Sequence, residues 1–317
     1  MYHSIVVPLD GSPFSEQALP LACTIAERAR ATLQLVHVHA LSAAPIYIEG
    51  LPVIDEQLVS QSRAHAFAYL EQVKARLLTE QPMLNIVIKA LDRAVESLVN
   101  EPLGAFLADH IAASNSDLIV MTTHGRSGLM RAWLGSVADT LVRLSHIPIL
   151  LVRPMEDPAT FAQPPLFKHI LIPLDGSALA EQILTPTLML GALMQAECTL
   201  LHVVEPLFPT YSAFTQTKQV DEVGIQAAQR YLADVVKRFG ATNPTMTTRA
   251  LLAQQPAVAI LDYAQRHTID LIALATHARS GFARMWLGSV ADKLLRGATP
   301  PVLLYRPEQV SDEYLVT

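Results

Sequence analysis

The chain has 317 residues, 51% hydrophobic and 16% charged, which leaves room for two domains of ordinary size and is too apolar for a disordered protein. Its 23 basic and 29 acidic residues give a formal charge of −6 without any basic run, so the electrostatic footprint of a nucleic-acid binder is missing. Cys23 and Cys198 are the only cysteines and lie outside any CxxC spacing, which excludes a disulfide framework and a cysteine zinc site.

The opening, MYHSIVVPLDGS, lacks a basic segment followed by an apolar stretch and a small-residue cleavage site. No signal peptide is expected, and a reducing cytoplasm is the expected compartment. The segment reads as a strand over 4–9, and a helix over 15–30 and a strand over 32–38 follow it. A loop through 45–52 leads to a long amphipathic helix over 55–80, whose Leu/Ala face suits a core and whose charges suit a solvated face. Next come a strand over 85–90, a helix ending near Ser114, a strand over 118–122, a loop, a helix from Ser136 to about Leu144 and a strand over 148–152.

These strands are short apolar runs without alternation, as expected of a parallel sheet covered on both faces. Alternating strands and helices with long crossovers predict an α/β, doubly wound, five-stranded sheet of order 3-2-1-4-5. Ligands of such sheets sit outside the carboxyl ends of the strands, where the strand order reverses between strands 1 and 4.

After 154 the chain starts again. IVVPLDGS, beginning at Ile5, returns as ILIPLDGS at Ile170, and Glu16-Gln17 returns as Glu181-Gln182, both at an offset of 165. Further on the offset is 153, where residues 117–154 and 270–307 agree at 23 of 38 positions. The first copy therefore carries twelve extra residues somewhere between Val38 and Asp117. Proline-rich MEDPATFAQPPLF separates the copies, so domains are expected over 1–155 and 166–308 with a linker over 156–165. The most apolar stretch, 183–196, is shorter than the roughly 20 residues of a membrane span and contains Pro186, so it reads as a buried helix.

Two segments of each copy fall at the switch point. After the fourth strand runs THGRSGLMRAWLGSVAD, in which Gly125, Gly128 and then Gly135-Ser136 open a helix. Glycines allow close backbone approach, and a helix N-terminus offers free N–H donors and a positive dipole end, a combination that suits phosphate. Ser136 stands at or near the N-cap, and Arg126 reaches an anion from the loop; simple capping by Gly135-Ser136 is the competing account. Asp10 and Asp175, each in P-L-D-G-S behind Pro8 or Pro173, offer a carboxylate for a ribose hydroxyl or a base amino group. An Asx-type turn accounts for the same residues, and the two roles are compatible.

Other chemistry is excluded. Neither GxxxxGK[ST] nor a GxGxxG opening the first helix is present, and no GxSxG elbow or activated cysteine supplies a nucleophile. His37 and His39 lie at strand spacing, and His124 and His277 lack partners at i+3 or i+4, so these are read as structural histidines rather than metal ligands.

With P-L-D-G-S, the strand-2 valine and the loop THGRSGLMRAWLGSVAD in place, essentially the whole chain resembles the universal stress protein family in its two-domain form. That family's ATP-binding branch carries G-x2-G-x9-G-[ST]. The resemblance implies that Asp10 contacts ribose or base, that the Val38 backbone meets adenine, and that Gly125, Gly135 and Ser136 hold phosphates, with Thr122, His124 and Val137 alongside. In the second copy the same roles fall to Asp175, Val203, Gly288 and Ser289, with Ala275, His277, Ala278, Arg279 and Val290 alongside. Thr122 and Ala275 replace the first motif glycine and Ala278 the second, so site 1 is favoured over site 2.

The expected function is an ATP-binding stress-response protein without efficient catalysis, ATP arriving with Mg2+. The domains are expected to form an internal pseudo-dimer, with strands 148–152 and 301–305 as its contact and a homodimer as a further assembly; no membrane and no nucleic acid are expected. The competing functions are a nucleotide-independent interaction module with vestigial sites and a slow ATPase or adenylyl-transfer protein.

Overall fold

A computed structural model describes residues 2–39, 46–48, 51–53, 56–93, 101–123, 134–154, 166–206, 215–240, 245–276 and 288–307. The chain divides into two compact units, Met1–Pro165 and Leu166–Thr317.

The first unit runs β1 (Ser4–Leu9), α1 (Pro13–Glu16), α2 (Leu19–Ala29), β2 (Thr32–His39), β3 (Ile46–Ile48), β4 (Leu51–Val53), α3 (Glu56–Glu80), β5 (Asn85–Asp92), α4 (Leu103–Ala112), β6 (Leu118–Thr122), α5 (Ser136–Leu144) and β7 (Ile149–Val152). Its sheet order is β7-β6-β1-β2-β5, parallel throughout, which is 3-2-1-4-5 when the five sheet strands are counted along the chain. Right-handed crossovers place α2 and α3 on one face and α4 and α5 on the other.

The second unit repeats the plan with β8 (His169–Pro173), α6 (Ala178–Glu181), α7 (Leu184–Met194), β9 (Glu197–Val204), α8 (Thr215–Phe239), β10 (Met246–Leu252), α9 (Pro256–Arg266), β11 (Leu271–Ala275), α10 (Ser289–Gly297) and β12 (Val302–Tyr305). Its order, β10-β9-β8-β11-β12, is again 3-2-1-4-5.

Three differences from the sequence reading have physical causes. The helix expected over 15–30 is two pieces: α1 starts at Pro13 under a Ser12 cap, and Pro20, which has no N–H for the Glu16 carbonyl, falls at the start of α2. The loop expected through 45–52 contains the antiparallel pair β3–β4. Burial on both faces holds for β6, all of whose residues are buried, whereas β5 lies at the sheet edge and is mostly half-exposed or exposed.

The core follows the predicted periodicities. Along α3 the buried residues are Ala66, Leu70, Val73 and Leu77, at the 3- and 4-residue steps of one helix face, and α8 repeats them as Ala228, Leu232 and Val235. Truncating a fully buried leucine such as Leu70 costs about 2–5 kcal/mol.

Candidate functional site

The chain leaves β1 through a tight turn. Gly11 has φ 83°, a conformation that L side chains rarely adopt, so a glycine is required there. Asp10 Oδ1 accepts from the Ser12 amide at 2.9 Å and the Ser12 hydroxyl at 2.6 Å, while Ser12 Oγ accepts from the Ser15 amide at 3.2 Å and caps α1. The second unit repeats this at Asp175, Gly176 (φ 89°) and Ser177. The Asx-type turn is thus present in both copies. The settings differ: Asp10 is half-buried and Ser12 buried, whereas Asp175 and Ser177 are exposed.

A second backbone feature faces this turn in the first unit. Thr123, just past β6, donates its amide to Val152 at 2.9 Å and accepts from the Gly135 amide at 2.7 Å, which fixes the start of α5 beside the end of β6. Gly135 is the N-cap and Ser136 the first helical residue, one position later than a capping serine, so the first-turn N–H groups of α5 receive no side-chain acceptor from the cap residue. The equivalent Gly288 has φ 79°, against −68° at Gly135, so the two helix entries have different backbone conformations.

Between these features lies a cavity of about 700 Å3, within the range of small-molecule pockets. Pro8 and Asp10 line it from β1, Val38 and His39 from β2, and Thr122 from β6. Gly135, Ser136 and Val137 line it from α5, and His65 and Tyr69 from α3. Every described first-copy candidate therefore lies on this one cavity; His124, Gly125, Arg126 and Gly128 fall outside the described residues. In the second unit Pro173 and Asp175 end β8, Val203 lies in β9, Ala275 ends β11, and Gly288, Ser289 and Val290 open α10. His277, Ala278 and Arg279 fall outside the described residues.

Sequence reasoning missed a polar network beneath the turn. Tyr69 donates to Glu16 Oε1 at 3.0 Å, Arg76 bonds Glu16 Oε2 at 2.5 Å, and the Tyr69 ring stands edge-on to His37, whose Nδ1 is 2.8 Å from the Leu9 carbonyl. Burial, reinforced by the Glu16 charge, pushes the Tyr69 hydroxyl above its ordinary pKa. In the second unit Arg238 forks onto Glu181 at 2.7 and 2.9 Å, and the Tyr231 ring stands edge-on to His202. The Tyr231 hydroxyl lies beside the Glu181 carboxylate and has no partner of hydrogen-bonding geometry among the described residues. Arg238 holds the Glu181 carboxyl below its usual range against the opposing effect of burial. Arg76 and Arg238 are thus paired with α1 and α6, not merely solvated as expected for the charges of the long helix. Glu16-Gln17 already stood out in the repeat; Tyr69 and Arg76 return as Tyr231 and Arg238 at a third offset, 162, which a search at 165 and 153 passes over.

At the far side of the first cavity, His39 Nε2 meets the carboxylate of Asp92, the residue opposite it in the β2–β5 register, and Asp92 also pairs with Arg63 at 3.3 Å. Among the described residues no group of three or more His, Cys, Asp or Glu gathers to hold a metal ion.

Two doubly wound α/β units in one chain, the first with a crevice at its strand-order switch point, are the class that this fold and this cavity define. The universal stress protein family model matches residues 1–153 and again 166–306. Over 315 residues the chain is 25% identical to a universal stress protein of Mycolicibacterium smegmatis, covering 96% of this chain and 97% of that one. Over 317 residues it is 24% identical to a universal stress protein of Mycobacterium tuberculosis, with 96% and 97% covered. The crystal structure of a universal stress protein from Archaeoglobus fulgidus has the same fold, with a TM-score of 0.66 at 16% identity over 96% of this chain and 98% of that one. The chain belongs to the universal stress protein family.

Proposed function

We propose that the protein binds an adenine nucleotide, ATP with Mg2+, in the crevice of the first unit and does not turn it over efficiently. One observation carries this reading: the ends of β1, β2 and β6 and the start of α5, whose N-cap glycine brings no capping side chain, wall a single cavity of about 700 Å3. The first-turn N–H groups and Ser136 hydroxyl of α5 take the phosphates, with Gly135 and Val137 beside them. Asp10 takes a ribose hydroxyl, the Val38 backbone meets the base, and Pro8 and Thr122 form the floor between. Gly125, Gly128, His124 and Arg126 complete the phosphate side by their resemblance to the family loop. With no protein metal cluster among the described residues, Mg2+ rides on the phosphates, as this ion commonly does.

For the second unit we infer a weaker site formed by Asp175, Val203, Gly288 and Ser289, or a nucleotide-independent interaction surface. The exposure of Asp175 and Ser177 supports the weaker role. The working boundaries are 1–155 and 166–308 around a linker over 156–165, and the proposed compartment is the cytoplasm. Among the described residues no helix is long and apolar enough to cross a membrane.

Denaturing the purified chain and quantifying released adenine nucleotide, followed by dialysis against Mg-ATP, tests this. Close to one equivalent per chain supports the first site alone and two support both. No retention at millimolar Mg-ATP refutes nucleotide binding and leaves the interaction module. Steady ATP turnover that disappears in Asp10→Ala would make the protein an ATPase.

A further inference from the structure

His39 ends β2, is only 5% exposed and lines the cavity. Its Nε2 is committed to Asp92, which Arg63 holds from the other side, while its Nδ1 is buried without a hydrogen-bonding partner among the described residues. Buried polar atoms in native proteins are nearly always paired; this nitrogen has essentially no accessible surface of its own, so a ligand in the cavity that the side chain lines pairs with it through a small rotation of the ring. In the neutral imidazole whose Nε2–H donates to the Asp92 carboxylate, the Nδ1 lone pair is an acceptor.

The sheet order says which end of a nucleotide this acceptor meets. In β6-β1-β2 succession, with about 4.8 Å between neighbouring strands, the end of β2 lies about 10 Å from the end of β6 and the start of α5. Phosphates at α5 therefore leave the base over β2 and β5. A lone pair there matches an exocyclic amino group and disfavours a carbonyl oxygen or a bare ring carbon.

Resting on the nucleotide-binding reading above, we propose that His39 is the base-reading residue of the first unit, accepting a hydrogen bond from the 6-amino group of adenine, with Asp92 as its positioning residue. The second unit has no such pair at the equivalent positions. Val204 and Leu252 stand opposite one another in the same register and offer no side-chain acceptor, so that unit has no equivalent means of selecting an amino purine.

Calorimetric titration of the full chain with Mg-ATP and with purine riboside 5′-triphosphate, which lacks only the 6-amino group, tests the proposal. Wild type is expected to bind ATP about tenfold more tightly than the analogue, the effect of one hydrogen bond to a buried group. In the double variant His39→Val, Asp92→Leu, which copies the pair of the second unit, the two ligands should bind equally. His39→Gln, which keeps an acceptor, should retain part of the preference. Equal binding of both ligands by wild type overturns the role of His39 while leaving the nucleotide site standing, as does an undiminished preference for ATP in the double variant. Failure of wild type to bind either ligand overturns the nucleotide reading and this inference together.

Discussion

Gly104, in the first turn of α4, faces Thr140 on α5, and there is no space for a larger residue between them. A methyl group at Gly104 would stand 2.4 Å from Thr140 Cβ and 3.0 Å from both Cγ2 and Oγ1. Carbon atoms in contact sit about 3.5–4.0 Å apart, so Gly104→Ala must open the α4–α5 gap by roughly an ångström. Overpacking of this kind costs about 1–3 kcal/mol. Replacing a helical glycine returns up to about 1 kcal/mol, less in a first turn, for a net destabilisation of about 1–2 kcal/mol.

The strain is delivered to the site, because Thr140 lies one turn from Ser136 and its hydroxyl donates to the Ser136 carbonyl at 2.8 Å. Gly104→Ala should therefore lower the melting temperature by about 2–8 °C, measured by circular dichroism. It should also weaken Mg-ATP several-fold in dialysis, since α5 supplies the proposed phosphate donors. Thr140→Gly removes the colliding atoms, so the double variant should be about 1 kcal/mol more stable than the sum of the two single changes predicts. The same helix pair in the second unit has Ala257 and Lys293 at these positions, and its glycine is on the other helix: a Cβ on Gly297 would meet Leu261 Cδ1 at 2.5 Å. A Gly104→Ala protein as stable as wild type, or coupling near zero, would refute the claim that this glycine sets the helix spacing.

The remaining predictions concern titrating groups. Burial pushes the Cys23 and Cys198 thiols up to about 12, so at pH 8 a disulfide exchange reagent should leave both unmodified in the native protein and label both in denaturant. Glu181 has a folded pKa depressed by Arg238 below its ordinary 4.5, so its contribution to stability is present above that value and is lost as pH falls through the folded pKa. The stability gap between wild type and Glu181→Gln should be constant from neutral pH to about pH 5 and close in more acid solution; a gap that instead widened with acid would contradict the assigned direction.

The fold was legible because both copies state it in the same order. Strands β1 and β6 and helix α5 stand where apolar runs and the Gly-Ser start put them; the switch-point rule picks out Pro8, Asp10 and Thr122 without any view of side chains, and the family resemblance adds Val38. What sequence could not supply was contact between residues far apart in the chain. Glu16, Tyr69 and Arg76 span 60 positions, and His39 and Asp92 meet only because β2 and β5 are neighbours in a particular register. The twelve extra residues of the first copy also resolve only with pairing in hand. The offset is 162 at Tyr69 and Tyr231, 160 at Ile86 and Met246 and 153 at Gly104 and Ala257, so the surplus is spread over three connections, most of it between β5 and α4.

Duplication supplies an internal comparison that separates scaffold from site. The Asp-Gly-Ser turn with its positive-φ glycine, the Glu–Arg pair from the first short helix to the long one, and the His–Tyr edge contact occur in both units. The turn and the ring contact each tie a first or second strand to a helix, the ion pair ties the short helix to the long one, and all three are kept whether or not the turn carboxylate is shielded from water. The differences cluster at the base-side wall and the helix entry: His39 with Asp92 against Val204 with Leu252, and φ −68° at Gly135 against 79° at Gly288. A buried histidine lacking one of its partners is costly unless something binds there, whereas a Val–Leu pair is stable empty. At its base-side wall the first unit thus carries a group whose cost a ligand would relieve, where the second has a pair that needs none, so loss of nucleotide should destabilise the first unit more than the second.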